Sequence, residues 1–349
     1  MKKKLKLLII CGIISIIMFS IIPIVNAESS VCEIVIDFKS GRVLYQNNCD
    51  EKRNIASITK ILTCITTIEN CDINKTVVIK KEWTGIEGSS IYLREGETFT
   101  IEELLYGLML RSGNDAATAI ACFVSGDFLS FSKLMNETAS KAGAINSSFK
   151  NPHGLDEEGH YSTAFDLALI TKYAMENAIF RKIVSTKRIV IGKGESARIL
   201  TNKNKLLFNY ENCIGVKTGY TKKSGRCLVS SAKKNDAELI CVVLNCGPMY
   251  ERSEELLKNT FEEYDWIKIV DATVSVCELK TKNGNSVPCY VKEDIFYPVK
   301  VGDVLNIKYE IELNKMDYKI AKFGQECGTI KIFNEKQLLF VKKIYTIIS

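Results

Sequence analysis

Ser57 and Lys60, in the stretch Ala56-Ser57-Ile58-Thr59-Lys60, are the first residues whose types and spacing could do chemistry. A serine hydroxyl is a poor nucleophile until a base takes its proton. A lysine can be that base when burial or a second cation leaves it neutral. Ile61, Leu62, Ile65 and Ile68 follow at intervals of three and four, which predicts a helix with one buried face starting near Ser57. Ser57 and Lys60 then stand one turn apart on the same face. The helix start brings a positive dipole end and free N–H groups to an oxyanion formed at Ser57. The spacing alone is not diagnostic. It recurs at Ser130/Lys133, Ser147/Lys150, Ser230/Lys233 and Ser231/Lys234 in a chain with 47 Lys+Arg, and a capping serine beside a solvated lysine gives the same pattern.

The elements that must hold this pair read as follows. Two alternating runs, Cys32–Asp37 and Arg42–Gln46, predict paired strands before the Ser57 helix, and Thr76–Lys80 a short strand after it. Thr100 with Glu103 makes a capping box for a helix that stops at Arg111-Ser112-Gly113-Asn114. Helical patterns follow at about 116–124, 127–141 and 162–177, with a loop at Asn151–Asp156. The pattern changes to period two in Cys213–Tyr220, Arg226–Ala232 and Ala237–Asn245, three strands in a meander, and Glu251–Trp266 closes as a helix. The solution is α+β: an antiparallel sheet of the first hairpin and the last three strands, surrounded by helices. Beyond about residue 270 short strands and turns, among them Lys282-Asn283-Gly284-Asn285, predict a small β-rich C-terminal domain ending in a strand over Leu338–Ile348. The expected division is 1–27, 28–268 and 269–349.

Composition narrows the function classes. The 349 residues are 46% hydrophobic and 25% charged, as in a folded globular protein. Lys2, Lys3, Lys4 and Lys6 stand in the first 27 residues, which hold no acidic residue, so removing those four from the net +6 leaves +2. That gives no case for nucleic acid. The basic start, the apolar run Leu7–Val25 and the small residues to Ala27 predict an export signal; the run also approaches spanning length, which keeps an uncleaved membrane anchor open. Of 13 cysteines none forms a Cys-x-x-Cys pair, and His153 and His160 are the only histidines, which leaves a zinc site unsupported. Centring the first hairpin on Ser40-Gly41 sets Cys32 opposite Cys49. A disulfide there and two buried thiols are equally compatible readings.

Two further triplets occur once each, Ser112-Gly113-Asn114 at a turn between helices and Lys217-Thr218-Gly219 on a strand. With Ser57-x-x-Lys60, and in this order, they resemble the penicillin-recognising serine acyltransferases, which include β-lactamases and penicillin-binding proteins. Ser-Gly-Asn in place of Ser-Asp-Asn points to the low-molecular-weight D-alanyl-D-alanine carboxypeptidases. Asn151-Pro-His-Gly-Leu-Asp156, Gly159–Ala164 with Asp166 and Ala168, Thr201–Leu206 and Gly215–Tyr220 match as well. The resemblance runs from about 32 to 266 and continues into the β-rich domain.

What the resemblance implies is a β-lactamase/transpeptidase-like domain and these roles. Ser57 attacks the carbonyl between two D-alanines, with Lys60 as base. Ser112 and Lys217 relay a proton to the departing D-alanine, and Asn114 holds a substrate amide or Lys60. Thr218 and Gly219 align the peptide, and backbone N–H groups of Ser57 and Tyr220 form the oxyanion hole. Arg252 binds the terminal carboxylate; from the residues alone it could equally pair with Glu255. No cofactor or metal is implied, and the histidines read as structural. The partners implied are the D-Ala-D-Ala end of peptidoglycan stem peptides as substrate and β-lactams as covalent inhibitors. Relatives often end in a membrane-lying amphipathic helix, which nothing after Ile348 could form, so membrane contact is expected only through residues 7–25. A β-lactamase would need a deacylating base, for which no Glu-x-x-x-Asn element is seen. A non-catalytic wall-binding protein would not need the full set Ser57, Lys60, Ser112, Asn114 and Lys217.

Overall fold

The computed structural model describes residues 30–280, 282, 284, 286–314 and 324–346. The expected leader, Asn283 and Asn285 of the expected turn, and the last strand residues beyond Thr346 lie outside them.

The chain enters through β1 (Cys32–Asp37) and β2 (Val43–Asn47). A 3-10 turn, Ala56–Thr59, leads into α1 (Lys60–Asn70). The short pair β3 (Thr76–Val78) and β4 (Thr98–Thr100) brackets an irregular loop. Helices α2 (Ile101–Leu110), α3 (Asn114–Ser125), α4 (Phe128–Lys141), α5 (Ala164–Met175) and α6 (Ala178–Ser185) follow. Next come a hairpin of β5 (Arg188–Ile191) and β6 (Arg198–Thr201), and the one-turn α7 (Leu206–Asn209). The meander β7 (Cys213–Thr221), β8 (Gly225–Lys234) and β9 (Ala237–Leu244) then runs into α8 (Met249–Glu263).

Local chemistry starts these helices where the sequence expects it. In the capping box Glu103 N donates to Thr100 Oγ1 (3.2 Å) and Thr100 N to Glu103 Oε2 (2.8 Å), so two otherwise orphaned donors are satisfied. Asp127 and Thr163 cap α4 and α5 more simply, each side chain accepting from one backbone N–H, of Ser130 and Asp166.

The central sheet is antiparallel in the order β2-β1-β9-β8-β7, with β7 on an edge. Period two sorts its side chains between two cores. Val229, Ile240, Val242 and Leu244 face the helices α1–α6, whereas Leu228, Leu239, Cys241 and Val243 pack against Leu256 and Leu257 of α8. Cover on both faces explains why β9 is buried at every residue.

The C-terminal strands are β10 (Tyr264–Val270), β11 (Cys277–Lys280), β12 (Ser286–Tyr290), β13 (Ile295–Lys300), β14 (Ile307–Leu313), β15 (Glu326–Asn334) and β16 (Gln337–Thr346). β10 pairs with β13, and the others form a sheet in the order β11-β12-β16-β15-β14 over their own apolar core.

Three expectations need correction. The closing helix ends at Glu263, because Tyr264–Val270 is drawn into the ladder with β13 and Trp266 Nε1 donates to Asp37 Oδ1 (2.8 Å). The register expected to set Cys32 opposite Cys49 is not observed, and the two are buried thiols, the second of the two readings left open. The hairpin register sets Glu33 opposite Asn47 and Val35 opposite Tyr45, one residue away from the expected pairing, and slips again at Val35/Ile36. Finally, α6 and the β5–β6 hairpin occupy residues 178–201, for which the sequence pattern predicts no element.

Candidate active site

Ser57 sits inside the 3-10 turn, and Lys60 is the first residue of α1. The turn is strained: Ala56 holds φ of +48°. Two neighbours clamp it. On one side, Thr59 Oγ1 donates to Ala56 O (2.9 Å) and lies 2.8 Å from His160 Nε2. Lys150 N donates to His160 Nδ1 (3.1 Å), so the ring proton is on Nε2 and points at Thr59. Gly154, at φ of +83°, closes that side; a Cβ there would stand 1.9 Å from Ala56 O. On the other side β7 passes so closely that a Cβ on Gly219 would be 3.0 Å from Ile55 O.

Lys60 is fully buried, and its Nζ has three partners: Ser57 Oγ (2.9 Å), Asn114 Oδ1 (2.8 Å) and His153 O (2.6 Å). Burial first, and then the charges of Lys217 and Lys203, hold its pKa well below 10.5 against an opposing pull from Asp115. The geometry fixes what a neutral Lys60 does. Asn114 Oδ1 and His153 O can only accept, so they take the two N–H groups and leave the nitrogen lone pair directed at the Ser57 hydroxyl. Asn114 keeps this orientation because its Nδ2 donates to Glu87 O (2.5 Å).

Lys217, also buried, donates to Thr218 O (2.9 Å); burial and then the Lys203 charge bring its pKa down to about 7. Ser112, at φ of +62°, forms the turn between α2 and α3. Asp115 accepts from Ile91 N (3.1 Å), Leu93 N (3.0 Å) and Ser90 Oγ (2.6 Å), and Asn114 N donates to Ser89 O (2.7 Å). The loop before β4 is thereby tied to the start of α3 as a wall of the site.

The cleft has a volume of about 420 Å³. Ser57, Ser112, Thr218, Gly219 and Tyr220 line it, together with Ser89, Lys203, Arg226, Met249 and Tyr250. Of the residues proposed from sequence, Lys60, Asn114 and Lys217 therefore supply the buried interior, and Ser57, Ser112, Thr218, Gly219 and Tyr220 the surface. Arg252 is elsewhere. Its guanidinium is committed to Glu33 on β1 (Nε–Oε1 2.7 Å, Nη2–Oε2 2.9 Å), to Tyr45 Oη (2.9 Å) and to Glu255 (3.0 Å), on the α8 side of the sheet. It does not line the cleft.

Sequence reasoning did not single out Lys203, Arg226 or the carbonyl of His153. Lys203 lies within the quoted Thr201–Leu206 motif, which was the available signal; the other two depend on sheet order and on main-chain position. The imidazoles stay neutral, since burial drives His153 down to about 3 and His160 to about 4.

Residues 22–247 match the family model for D-alanyl-D-alanine carboxypeptidase, and residues 267–347 that of the penicillin-binding protein 5 C-terminal domain. The chain is 34% identical over 325 residues to the D-alanyl-D-alanine carboxypeptidase DacF of Bacillus subtilis, covering 90% of this chain and 84% of the relative. To DacC of Escherichia coli it is 33% identical over 320 residues, covering 85% and 78%. Penicillin binding protein 5 from Haemophilus influenzae superposes with a TM-score of 0.70 at 26% identity, covering 91% of this chain and 96% of that one. A mutant of the Streptomyces K15 DD-transpeptidase covers 66% of this chain, and 96% of its own, at a TM-score of 0.62 and 31% identity. The chain belongs to the D-alanyl-D-alanine carboxypeptidase family of serine peptidases.

Proposed function

We propose that the chain removes the terminal D-alanine from peptidoglycan stem peptides through an acyl-Ser57 intermediate. The observation that carries this is the three-way hold on Lys60 Nζ, which aims its lone pair at Ser57 Oγ. The substrate lies along edge strand β7, whose outer backbone groups are open to an added strand. Ser57 Oγ bonds to the carbonyl carbon of the penultimate D-alanine as its proton passes to Lys60. Backbone N–H groups of Ser57 and Tyr220 stabilise the oxyanion. The C–N bond then breaks, with a proton reaching the leaving amine through Ser112 and Lys217. Water hydrolyses the ester and returns the enzyme. β-Lactams enter by the same attack and remain as acyl-Ser57.

The same reading places the enzyme outside the cytoplasm, supported by the basic and apolar composition of residues 1–27, with any membrane contact made through residues 7–25. The test of the reaction is D-alanine release from an N-acylated peptide ending in D-Ala-D-Ala. Wild type releases D-alanine and Ser57→Ala does not; equal release by both would overturn the reading.

A further inference from the structure

A carboxypeptidase must tell a chain end from a chain interior, and the chemical difference is one free carboxylate. With Arg252 bound to Glu33, that carboxylate needs another cation. The cleft supplies one at its rim.

Arg226 on β8 lies directly opposite Tyr220 on β7, while Leu228 lies opposite Thr218. Facing residues share a sheet face, so Thr218, Tyr220 and Arg226 project on one side. Arg226 stands diagonal to Thr218 at roughly 7 Å, within reach of a long side chain. Its guanidinium forms no ion pair among the described residues, and no carboxylate lines the cleft. Lys203 reaches the cleft from the loop after β6 and donates to Ser89 Oγ (2.9 Å). The carboxylate of a bound substrate lies one residue past the scissile carbonyl, about 3.5 Å along an extended chain. With that carbonyl at Ser57 and the peptide along β7, the carboxylate falls at the Thr218–Tyr220 end, under Arg226.

We propose that Arg226 is the specificity-determining residue that binds the free C-terminal carboxylate of the substrate, with the Thr218 hydroxyl as second donor and Lys203 adding charge to the same rim. The proposal rests on the D-alanyl-D-alanine carboxypeptidase reading. Arg226 is exposed, so its replacement leaves the fold intact.

The test uses the full chain and two N-acylated peptides, one ending in D-Ala-D-Ala with a free carboxylate and one with the same end as an amide. A charge-assisted bidentate contact is lost in Arg226→Ala. KM for the acid therefore rises about 10- to 100-fold, kcat falls less, and kcat/KM for the amide stays at its wild-type value. Arg226→Lys recovers part of the loss, since it keeps the charge without the fork. Equal losses on acid and amide, or no loss on either, would overturn the proposal while leaving the reaction standing. Wild type that releases nothing from the acid would overturn the carboxypeptidase reading itself, and the proposal with it.

Discussion

Two of the sites where charge is buried against the central sheet are handled in opposite ways. On the α8 side, Glu33 is almost wholly enclosed and meets Arg252 in a two-pronged contact, with Tyr45 Oη as a further donor. Burial by itself would raise the Glu33 pKa; the hydrogen bonds from Arg252 and Tyr45 outweigh it and hold the carboxyl below its ordinary value. On the α1 side, Lys60 and Lys217 are as deeply buried, yet neither has a carboxylate at ion-pair distance among the described residues, and both are driven toward neutrality. Paired charge here holds structure together. Unpaired charge on the other face of the same sheet is kept for proton transfer, at a cost in stability that the fold carries elsewhere.

The largest effect expected from breaking this contrast is on the catalytic face. Lys60→Met removes the base and lowers the rate of acylation by benzylpenicillin about 10²- to 10⁴-fold. Met spares the desolvation of a buried amine but leaves Asn114 Oδ1 and His153 O without their donor, so thermal unfolding shows only a small net change in stability. A large loss of stability there would mean that Lys60 is structural.

Arg252→Ala should do the reverse. Leaving Glu33 buried and unpaired costs about 2–3 kcal/mol in denaturant unfolding, below the usual figure for a buried pair because the guanidinium is partly exposed. The folded fraction should still acylate at the wild-type rate. The sign of the pH effect follows from the Glu33 pKa being lowered. Its stabilisation is present above the unfolded-state value and is lost as pH falls through the folded one.

A third variant sharpens the account of the catalytic face through pH. Lys60 works only when neutral, so acylation falls as pH drops through its pKa. Burial and then Lys217 lower that pKa, so Lys217→Gln, lacking the second contribution, shifts the acid limb of the rate profile to higher pH. An unmoved limb, or one displaced to lower pH, would show that the two lysines do not share a field. The smallest effect belongs to Tyr45→Phe, which removes one donor from Glu33 and should cost about 1 kcal/mol with no change in acylation.

Much of this was legible in the sequence. The Ser57, Ser112 and Lys217 elements, the capping box at Thr100 and the two-faced alternation of β8 and β9 are local signals, and local physics decides them. Pairings made by distant elements were not legible. The Arg252–Glu255 contact was legible three residues along the helix, but the Glu33 contact was not, because Glu33 is 219 residues away, and Arg226 looks like a surface charge until sheet register sets it beside Tyr220. Trp266 reads as helix by periodicity, yet the ladder with β13 claims it. Cys32 and Cys49 missed each other by one residue of register, which no count along the chain can supply.

The most direct test of the central claim is the intact mass of the protein after incubation with benzylpenicillin, followed by peptide mapping, for wild type and Ser57→Ala. One persistent adduct is expected, on Ser57 and absent from the variant. An adduct on Ser130, Ser147, Ser230 or Ser231, or one that survives in Ser57→Ala, would contradict it.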